Sequence, residues 1–228
     1  MNDRRYRSIA IDGPSGAGKS TLARRAAQKF GFIYVDTGAI YRTVGLAAQL
    51  AGVDSKDEPG VTALLPGLDI DLRYDAAGVQ KMYLNGRDVS KDIRTPKSSI
   101  YASDVSAMPS VRAFLLDMQR DMAKRHDVIM DGRDIGTVVL PDADLKIFLT
   151  ASAEDRARRR LGELRSRGSD VSFEEVLRDM QYRDKSDSTR AAAPLKAADD
   201  AVLLDTSGNT LQQSVDLVCG MIGEKLGL

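Results

Sequence analysis

Apolar and polar residues follow two different patterns along this chain. Short apolar runs at residues 8–12 and 32–36 are each followed by a stretch in which apolar residues recur every three or four positions. A buried strand followed by a helix with one apolar face produces this pattern. The repeated order of strand and helix predicts a parallel sheet covered by helices. Similar apolar runs at 127–131, 145–149 and 201–205 supply three more strands, which makes a five-stranded sheet.

The middle of the chain has a different pattern. Apolar and charged residues alternate one by one from Leu68 to Asp75, which is typical of an antiparallel strand with one exposed face. A second strand fits residues 79–84, and Asn85–Gly86 is a strong signal for a hairpin turn. We therefore expect an insert with a small antiparallel sheet at residues 67–126, within a core α/β domain formed by residues 1–66 and 127–228.

Composition and charge restrict the class of protein. The chain carries 33 Lys and Arg against 33 Asp and Glu, so its formal net charge is zero and any anion binding must be local. Basic and aromatic residues are rarely interleaved, which argues against a nucleic-acid partner. No run of about 18 apolar residues could span a membrane. The single cysteine, Cys219, fits a reducing compartment. We expect a cytoplasmic protein without a membrane partner, and a monomer.

A glycine-rich stretch follows the first predicted strand. Gly13–Ser20 matches the pattern Gly-x-x-x-x-Gly-Lys-Ser/Thr. The glycines let successive backbone N–H groups turn toward one anion, and the N-terminus of the next helix adds more. Lys19 can reach the β- and γ-phosphates of a nucleoside triphosphate, and the Ser20 hydroxyl can ligate Mg²⁺. We therefore expect a P-loop of the NTPase type.

Arginines are concentrated between Arg156 and Arg167, where six of them occur. They could lie on a solvated helix face with partners one turn away, such as Asp155 and Arg159. They could also form a lid that adds positive charge over the triphosphate. Because a phosphate loop is present, we favour a short helical lid at about residues 156–172.

Two further groups of charged residues stand out. The stretch 131–134, Asp-Gly-Arg-Asp, directly follows a predicted buried strand, and ligands bind at the carboxyl ends of strands in parallel sheets. Arg183, Asp187 and Arg190 share one helical face because they are spaced by four and three residues. On spacing alone, a surface ion pair between Arg183 and Asp187 is the simpler interpretation of this second group.

Five stretches carry a family resemblance: residues 11–19, residues 36–42, residues 131–139, residues 141–143 followed by 146–149, and residues 183–184 with Asp187, Arg190 and 193–195. Together they resemble the bacterial cytidylate kinases, P-loop nucleoside monophosphate kinases that phosphorylate CMP and dCMP with ATP. The resemblance covers nearly the whole chain and is more specific than the phosphate loop alone. It implies a P-loop core, an insert that binds the nucleoside monophosphate (NMP), and a lid.

The resemblance also implies the residues of the site. Thr37 stands where the family usually has serine, and the hydroxyl is retained. Ser20 stands where relatives often have glycine, and it provides a hydroxyl that can ligate Mg²⁺. The residues expected to bind ATP are Gly13, Pro14, Ser15, Gly16, Ala17, Gly18, Lys19, Ser20 and Thr21. Those expected to bind CMP are Thr37, Arg42, Ser103, Arg112, Arg133, Asp134, Arg183, Asp187 and Arg190. Those expected to act in catalysis are Lys19, Arg133, Arg183 and Arg159.

The expected chemistry needs little acid–base catalysis. A phosphate acceptor is already ionised at neutral pH, because its second pKa is near 6. Positioning and charge neutralisation would then supply most of the rate, which suits an arginine-rich chain. One alternative is a P-loop kinase for another small acceptor, including a hydroxyl acceptor for which Asp36 could be the base. A second is a nucleotide-dependent regulator or RNA-binding module, which the zero net charge disfavours.

Overall fold

The computed structural model describes residues 6–166 and 168–228. The chain forms two compact units, one made of the residues up to Tyr34 together with Arg125–Leu228, and the other of Val35–Lys124. The insert expected at residues 67–126 was defined by nucleotide binding, which the division into compact units does not test, so its boundaries stay a prediction. Within the described ranges, none of the helices combines the length and apolar character needed to cross a membrane.

Strands and helices follow the order that the hydrophobic pattern predicts. A single π-helical turn, Ile135–Val139, follows the sixth strand. The strands are β1 (Ser8–Asp12), β2 (Ile33–Asp36), β3 (Ile70–Tyr74), β4 (Gln80–Leu84), β5 (Arg87–Asp88), β6 (Val128–Gly132), β7 (Leu145–Thr150) and β8 (Val202–Asp205). The helices are α1 (Lys19–Phe30), α2 (Thr37–Leu50), α3 (Glu58–Leu64), α4 (Pro96–Val105), α5 (Pro109–Arg125), α6 (Ala153–Arg165), α7 (Phe173–Thr189) and α8 (Leu211–Leu226).

The first unit is built on a five-stranded parallel sheet with the order β2–β6–β1–β7–β8. β1 is the central strand, with Ile9 paired to Ile129 of β6 on one side and to Leu145 of β7 on the other. Ile9 and Ile11 are completely buried, as expected for a parallel strand covered on both faces. The loop after β1 therefore leaves the middle of the carboxyl edge of the sheet, where ligands bind in this architecture.

Helix α1 confirms the prediction made from its apolar face. Leu22 and the alanines of that face are buried against the sheet, and small side chains allow the helix axis to approach it closely. The helix ends at Gly31, whose φ of 70° is the left-handed conformation that glycine adopts at low cost. The sheet, α1 and α8 share one hydrophobic core, in which Cys219 is buried.

The second unit contains a three-stranded antiparallel sheet, β3–β4–β5, and its helices. The turn between β4 and β5 has Asn85 at φ 51° and Gly86 at φ 79°, which is the pair of positive angles that a type I′ hairpin requires. The sequence prediction of a hairpin at this dipeptide is therefore confirmed. Met82 and Leu115 are buried in the core of this unit, which also contains the apolar face of α2.

The C-terminal part differs from the expected pattern in two places. Leu203 is 70% exposed because β8 is an edge strand, paired with β7 alone. Leu211, which the spacing of the apolar residues Leu211, Val215, Val218 and Ile222 would turn inward, is 53% exposed. It is the first residue of that helix, and the buried side of α8 starts one turn later, at Ser214. Apolar periodicity identified the helix correctly but not the point at which it meets the core.

Candidate active site

The phosphate loop has the backbone shape that its glycines predict. Gly13, Gly16 and Gly18 have φ of 148°, 72° and 94°, all within the range that favours glycine. A Cβ added to Gly13 would lie 1.9 Å from the carbonyl oxygen of Leu149, so the loop also packs too closely on β7 for any side chain there. Helix α1 begins directly at Lys19, and the loop therefore ends at a helix N-terminus that can receive an anion.

Lys19 is folded back into the loop that carries it. Its side chain is almost completely buried, and Nζ donates a hydrogen bond of 2.7 Å to the carbonyl oxygen of Pro14. Burial, together with the charge of Arg133, lowers the pKa of Lys19 to about 7, against the opposing effect of Asp131, Asp12 and Asp187. A phosphate bound in the loop would raise the pKa of Lys19 again and favour its charged, ammonium form.

Ser20 belongs to a short chain of hydrogen bonds. Its Oγ donates to Oδ2 of Asp131 at 2.9 Å, and the hydroxyl of Tyr34 donates to Oδ1 of the same carboxylate at 2.7 Å. Asp131 stands near the carboxyl end of β6, beside the strand that carries the phosphate loop. A hydroxyl next to a carboxylate is the oxygen donor set that Mg²⁺ prefers in P-loop proteins. Asp131 lies in the charged stretch 131–134 that the sequence analysis singled out, but it was not assigned to ATP, CMP, Mg²⁺ or catalysis there.

Asp12 is a second residue that the sequence prediction missed. It ends β1, is 5% exposed, and accepts hydrogen bonds from the backbone N–H of Ile135 at 2.8 Å and of Gly136 at 2.7 Å. Burial raises the pKa of Asp12 to about 6, against the lowering effect of these two amides. Its carboxylate therefore fixes the turn after Arg133 and Asp134 to the start of the phosphate loop.

The two other charged groups of the sequence meet in one cluster. Arg133 Nε donates to Oδ2 of Asp187 at 2.8 Å, and Arg190 Nη2 lies 3.3 Å from Oδ1 of Asp134. Asp187 is 5% exposed, so the interpretation as a surface ion pair is wrong. Burial raises the pKa of Asp187, but Arg133, Arg183 and Arg190 outweigh it and hold the pKa below its ordinary value. Three arginines therefore act on Asp187, and one of them, Arg190, also faces Asp134.

The arginine-rich segment is divided between two roles. Arg156 is buried and donates to the carbonyl oxygens of Ser15 at 2.8 Å and Ala151 at 3.0 Å. Arg159 donates to the carbonyl oxygen of Thr206 at 2.7 Å and, over 3.4 Å, to that of Ala17 in the phosphate loop. These two arginines of α6 therefore reach backbone carbonyl groups of the phosphate loop, and the lid at about residues 156–172 stays a prediction.

Two other arginines of α6, Arg158 and Arg160, behave as the alternative interpretation expected. Arg158 lies 3.3 Å from Asp155 and Arg160 lies 2.9 Å from Glu163, both as pairs three residues apart within the helix. Such pairs at a helix surface contribute little to stability. Arg167, which completes the predicted cluster, lies outside the described residues.

The remaining predicted residues belong to the second unit. Thr37, the first residue of α2, and Ser103 in α4 are both buried. The preceding Asp36 accepts from the N–H of Ala39 at 2.9 Å and pairs with Arg42 at 2.8 Å, so both of its carboxylate oxygens are engaged. This weakens the case for Asp36 as a base toward a hydroxyl acceptor.

Arg112 also lies in the second unit, on α5. Its guanidinium carbon lies 5.7 Å from the centre of the Tyr41 ring, and its Nη1 donates to the carbonyl oxygen of Ser106 at 3.2 Å. The aromatic ring can hold the arginine by a cation–π contact. The binding roles of Thr37, Arg42, Ser103 and Arg112 stay predictions.

A phosphate loop on the central strand of a parallel sheet, with a buried lysine and a hydroxyl–carboxylate pair beside it, defines a nucleotide-binding protein of the P-loop class. The sequence model of the family described as cytidylate kinase matches residues 9–224. The chain belongs to the cytidylate kinase family, which confirms the resemblance drawn from the sequence.

Curated relatives extend over nearly the whole chain. The cytidylate kinase of Caldicellulosiruptor saccharolyticus is 46% identical over 220 residues, which cover 96% of this chain and 97% of that protein. The cytidylate kinase of Carboxydothermus hydrogenoformans is 49% identical over 217 residues, 95% of this chain and 97% of that protein. A crystal structure of an uncharacterized protein from Eubacterium ventriosum shares the fold alone, with a TM-score of 0.52 and 12% identity, covering 95% of this chain and 98% of that one.

Proposed function

We propose that this protein transfers the γ-phosphoryl group of ATP to CMP or dCMP and releases ADP with CDP or dCDP. The observation that carries the proposal is the cluster of Arg133, Arg183 and Arg190 around the buried Asp187 in a chain of the cytidylate kinase family. Several fixed cations suit an acceptor that is itself a phosphate. A hydroxyl acceptor would instead call for an unengaged carboxylate base.

We assign the residues of the two nucleotide sites on the same basis. ATP is bound by the loop and first helical turn, Gly13–Thr21, and the Ser20 hydroxyl is a ligand of Mg²⁺. The bound ion would offset charge on the β- and γ-phosphate oxygens. The residues assigned to CMP are Thr37, Arg42, Ser103, Arg112, Arg133, Asp134, Arg183, Asp187 and Arg190.

The reaction is a direct displacement at phosphorus. An ionised oxygen of the CMP phosphate forms a bond to the γ-phosphorus, and the bond from that phosphorus to the β,γ-bridging oxygen breaks with its electron pair leaving on ADP. No proton has to be removed from the acceptor, because its second pKa is near 6. The main obstacle is repulsion between two polyanions, which Lys19, Arg133, Arg183 and Arg159 reduce by holding positive charge around the reacting groups.

The physiological setting is proposed with the same function. We propose a cytoplasmic monomer whose partners are ATP and CMP or dCMP, with no nucleic-acid and no membrane partner. The balance of 33 basic and 33 acidic residues supports the absence of a nucleic-acid or membrane partner, since the protein has no net charge to attract a polyanionic surface. A single sedimentation boundary at the mass of one chain, 24.8 kDa, is expected for the purified protein.

A coupled assay of ADP release tests the activity. The acceptors compared are CMP, dCMP, UMP, AMP and, as the matched control, cytidine, which has the same base and ribose without the acceptor phosphate. We expect saturable ADP release with CMP and dCMP and none above background with cytidine. Release with cytidine equal to that with CMP would show a hydroxyl acceptor and contradict the proposal.

A further inference from the structure

Two charged side chains outside the proposed nucleotide contacts bind the peptide groups of the phosphate loop. Asp184 on α7 accepts a hydrogen bond from the N–H of Ser15 at 3.0 Å through Oδ1. Its other oxygen, Oδ2, accepts from Nη1 of Arg156 at 2.5 Å. Arg156 in turn donates to the carbonyl oxygen of Ser15 at 2.8 Å. The ion pair and the Ser15 residue therefore form a closed ring of three hydrogen bonds.

The ring is well shielded from solvent. The side chain of Arg156 is 9% exposed and that of Asp184 is 20% exposed. Arg156 is held further by its Nε, which donates to the carbonyl oxygen of Ala151 directly after β7. Hydrogen bonds between ionised groups and peptide groups are among the stronger ones, and here they fix both the N–H and the C=O of one residue.

Helix α7 also packs on the next residue of the loop. A Cβ built on Gly16 would lie 2.6 Å from the terminal methyl of Met180, which precedes Asp184 by one helical turn. The same helix carries Arg183 and Asp187 of the acceptor-side cluster. One rigid element therefore touches the phosphate loop at Ser15 and Gly16 and bears residues assigned to the acceptor.

The polar groups of Ser15 that are engaged in this way face the protein rather than a ligand. Because the N–H and the C=O of Ser15 are both hydrogen-bonded, the two peptide groups on either side of this residue are oriented before a nucleotide binds. The orientation at Ser15 in turn constrains the following residues, Gly16 to Gly18, whose N–H groups can turn toward phosphate. A site that is already organised loses less free energy on binding its ligand than one that must be ordered.

We propose that Asp184 and Arg156 are positioning residues that hold the phosphate loop in the shape that binds the triphosphate of ATP. The proposal rests on the function proposed above, since it takes ATP as the ligand of the loop. Neither residue is assigned a contact with ATP or CMP. They act through the backbone of Ser15. Arg156, the first arginine of the segment expected to lie over the triphosphate, therefore has a role beneath the phosphate loop instead.

The experiment compares nucleotide binding by the full chain and its variants. Asp184→Asn removes the charge and replaces one acceptor oxygen by an amide donor, so either Ser15 or Arg156 loses its partner. Glu163→Gln is the matched control, because it removes the same charge from the exposed pair with Arg160 on the neighbouring helix. Calorimetry measures the affinity for ATP with Mg²⁺ and, separately, for CMP, at a temperature well below the unfolding midpoint of every variant.

We expect Asp184→Asn to weaken ATP binding by roughly 10-fold or more, by analogy with the loss of a supporting residue behind a ligand-binding group. CMP binding should change by less than about threefold, and Glu163→Gln should leave both affinities as in the wild type. Since the two residues act as one ring, the double variant Asp184→Asn with Arg156→Met should bind ATP no more weakly than the poorer single variant. Exchange of the Ser15 amide hydrogen should be faster in Asp184→Asn.

Three results would overturn the positioning role: an unchanged ATP affinity in Asp184→Asn, an equal loss for ATP and CMP, or fully additive effects in the double variant. If Asp184→Asn does not fold, Arg156→Lys keeps the charge with fewer donors, and the same preferential loss of ATP is expected; its absence also overturns the role. Wild-type protein that binds neither nucleotide contradicts the proposed function and the positioning role with it. Wild-type binding with unaffected variants contradicts the positioning role alone.

Discussion

The buried lysine of the phosphate loop leads to a quantitative prediction about protons. Burial, helped by Arg133, lowers the pKa of Lys19 from its ordinary 10.5 to about 7. The phosphates of ATP would place several negative charges beside Nζ and so favour the ammonium form. We therefore expect ATP binding to take up a proton whenever the pH lies above the pKa of the free protein.

The magnitude follows from the two pKa values. At pH 8, a group with a pKa near 7 is about one-tenth protonated, and after ATP has returned the pKa toward 10 it is almost fully protonated. Lys19 should therefore take up about 0.9 proton per ATP at pH 8 and about 0.1 at pH 6, where it is already mostly charged. At pH 6 the terminal phosphate of ATP and Asp12, each with a pKa near 6, exchange protons as well, so the value at pH 8 is the decisive one. ATP itself contributes little at pH 8, because its terminal phosphate has a pKa near 6.

Calorimetry measures the uptake directly. ATP with Mg²⁺ is titrated into the protein at pH 8 and pH 6, in two buffers that differ in ionisation enthalpy, and the difference in heat gives the protons bound. The control is Lys19→Arg, whose guanidinium is charged at every pH used and should show almost no uptake. Binding heats that are the same in both buffers at pH 8, or an uptake that persists in Lys19→Arg, would refute a neutral Lys19.

Four substitutions give simpler outcomes. Asp187→Ala should weaken CMP binding more than ATP binding, because Arg133 loses its partner; equal weakening in calorimetry would place Asp187 outside the acceptor site. Lys19→Ala should lower kcat in the ADP-release assay by roughly 100-fold or more, by analogy with the loss of one donor to a developing anion, and near-normal turnover would exclude it from catalysis. Leu115→Ala, at a fully buried position, should lower the free energy of unfolding in urea by about 2–5 kcal/mol. Ile100→Ala, at a position 47% exposed, should change it by less than about 1 kcal/mol, and similar values for the two would contradict the assigned core.

Features that depend on nearby residues were predictable from the sequence. The hairpin at Asn85–Gly86 needs only the backbone freedom of two residues. The helix starts at Ser172 and Thr210 are each fixed by a partner three residues later, and both capping boxes are present. The start at Ser152 is different: its hydroxyl caps the helix, but its backbone N–H donates to the hydroxyl of Ser207 rather than to Asp155, so no capping box forms.

Features that depend on distant residues were not predictable in this way. Periodicity places Arg156 and Arg158 on the same short helix, but it does not say that the first reaches Ser15 while the second stays at the surface. Asp131 and Asp12 acquire their partners because β6 lies next to β1, and strand order is not encoded in either strand alone. The long-range part of the site therefore becomes visible once the sheet is assembled.

The position of β1 at the centre of its sheet also has a consequence for biosynthesis. Both neighbours of β1 are encoded after Lys124, so the first strand to leave the ribosome must wait for partners more than a hundred residues away. At roughly 5–20 residues per second, the wait before Val128 appears is roughly 6–23 s. Val35–Lys124 is continuous in sequence and complete before that moment, so we expect it to fold first while the apolar strand at the N-terminus depends on chaperones for protection from aggregation.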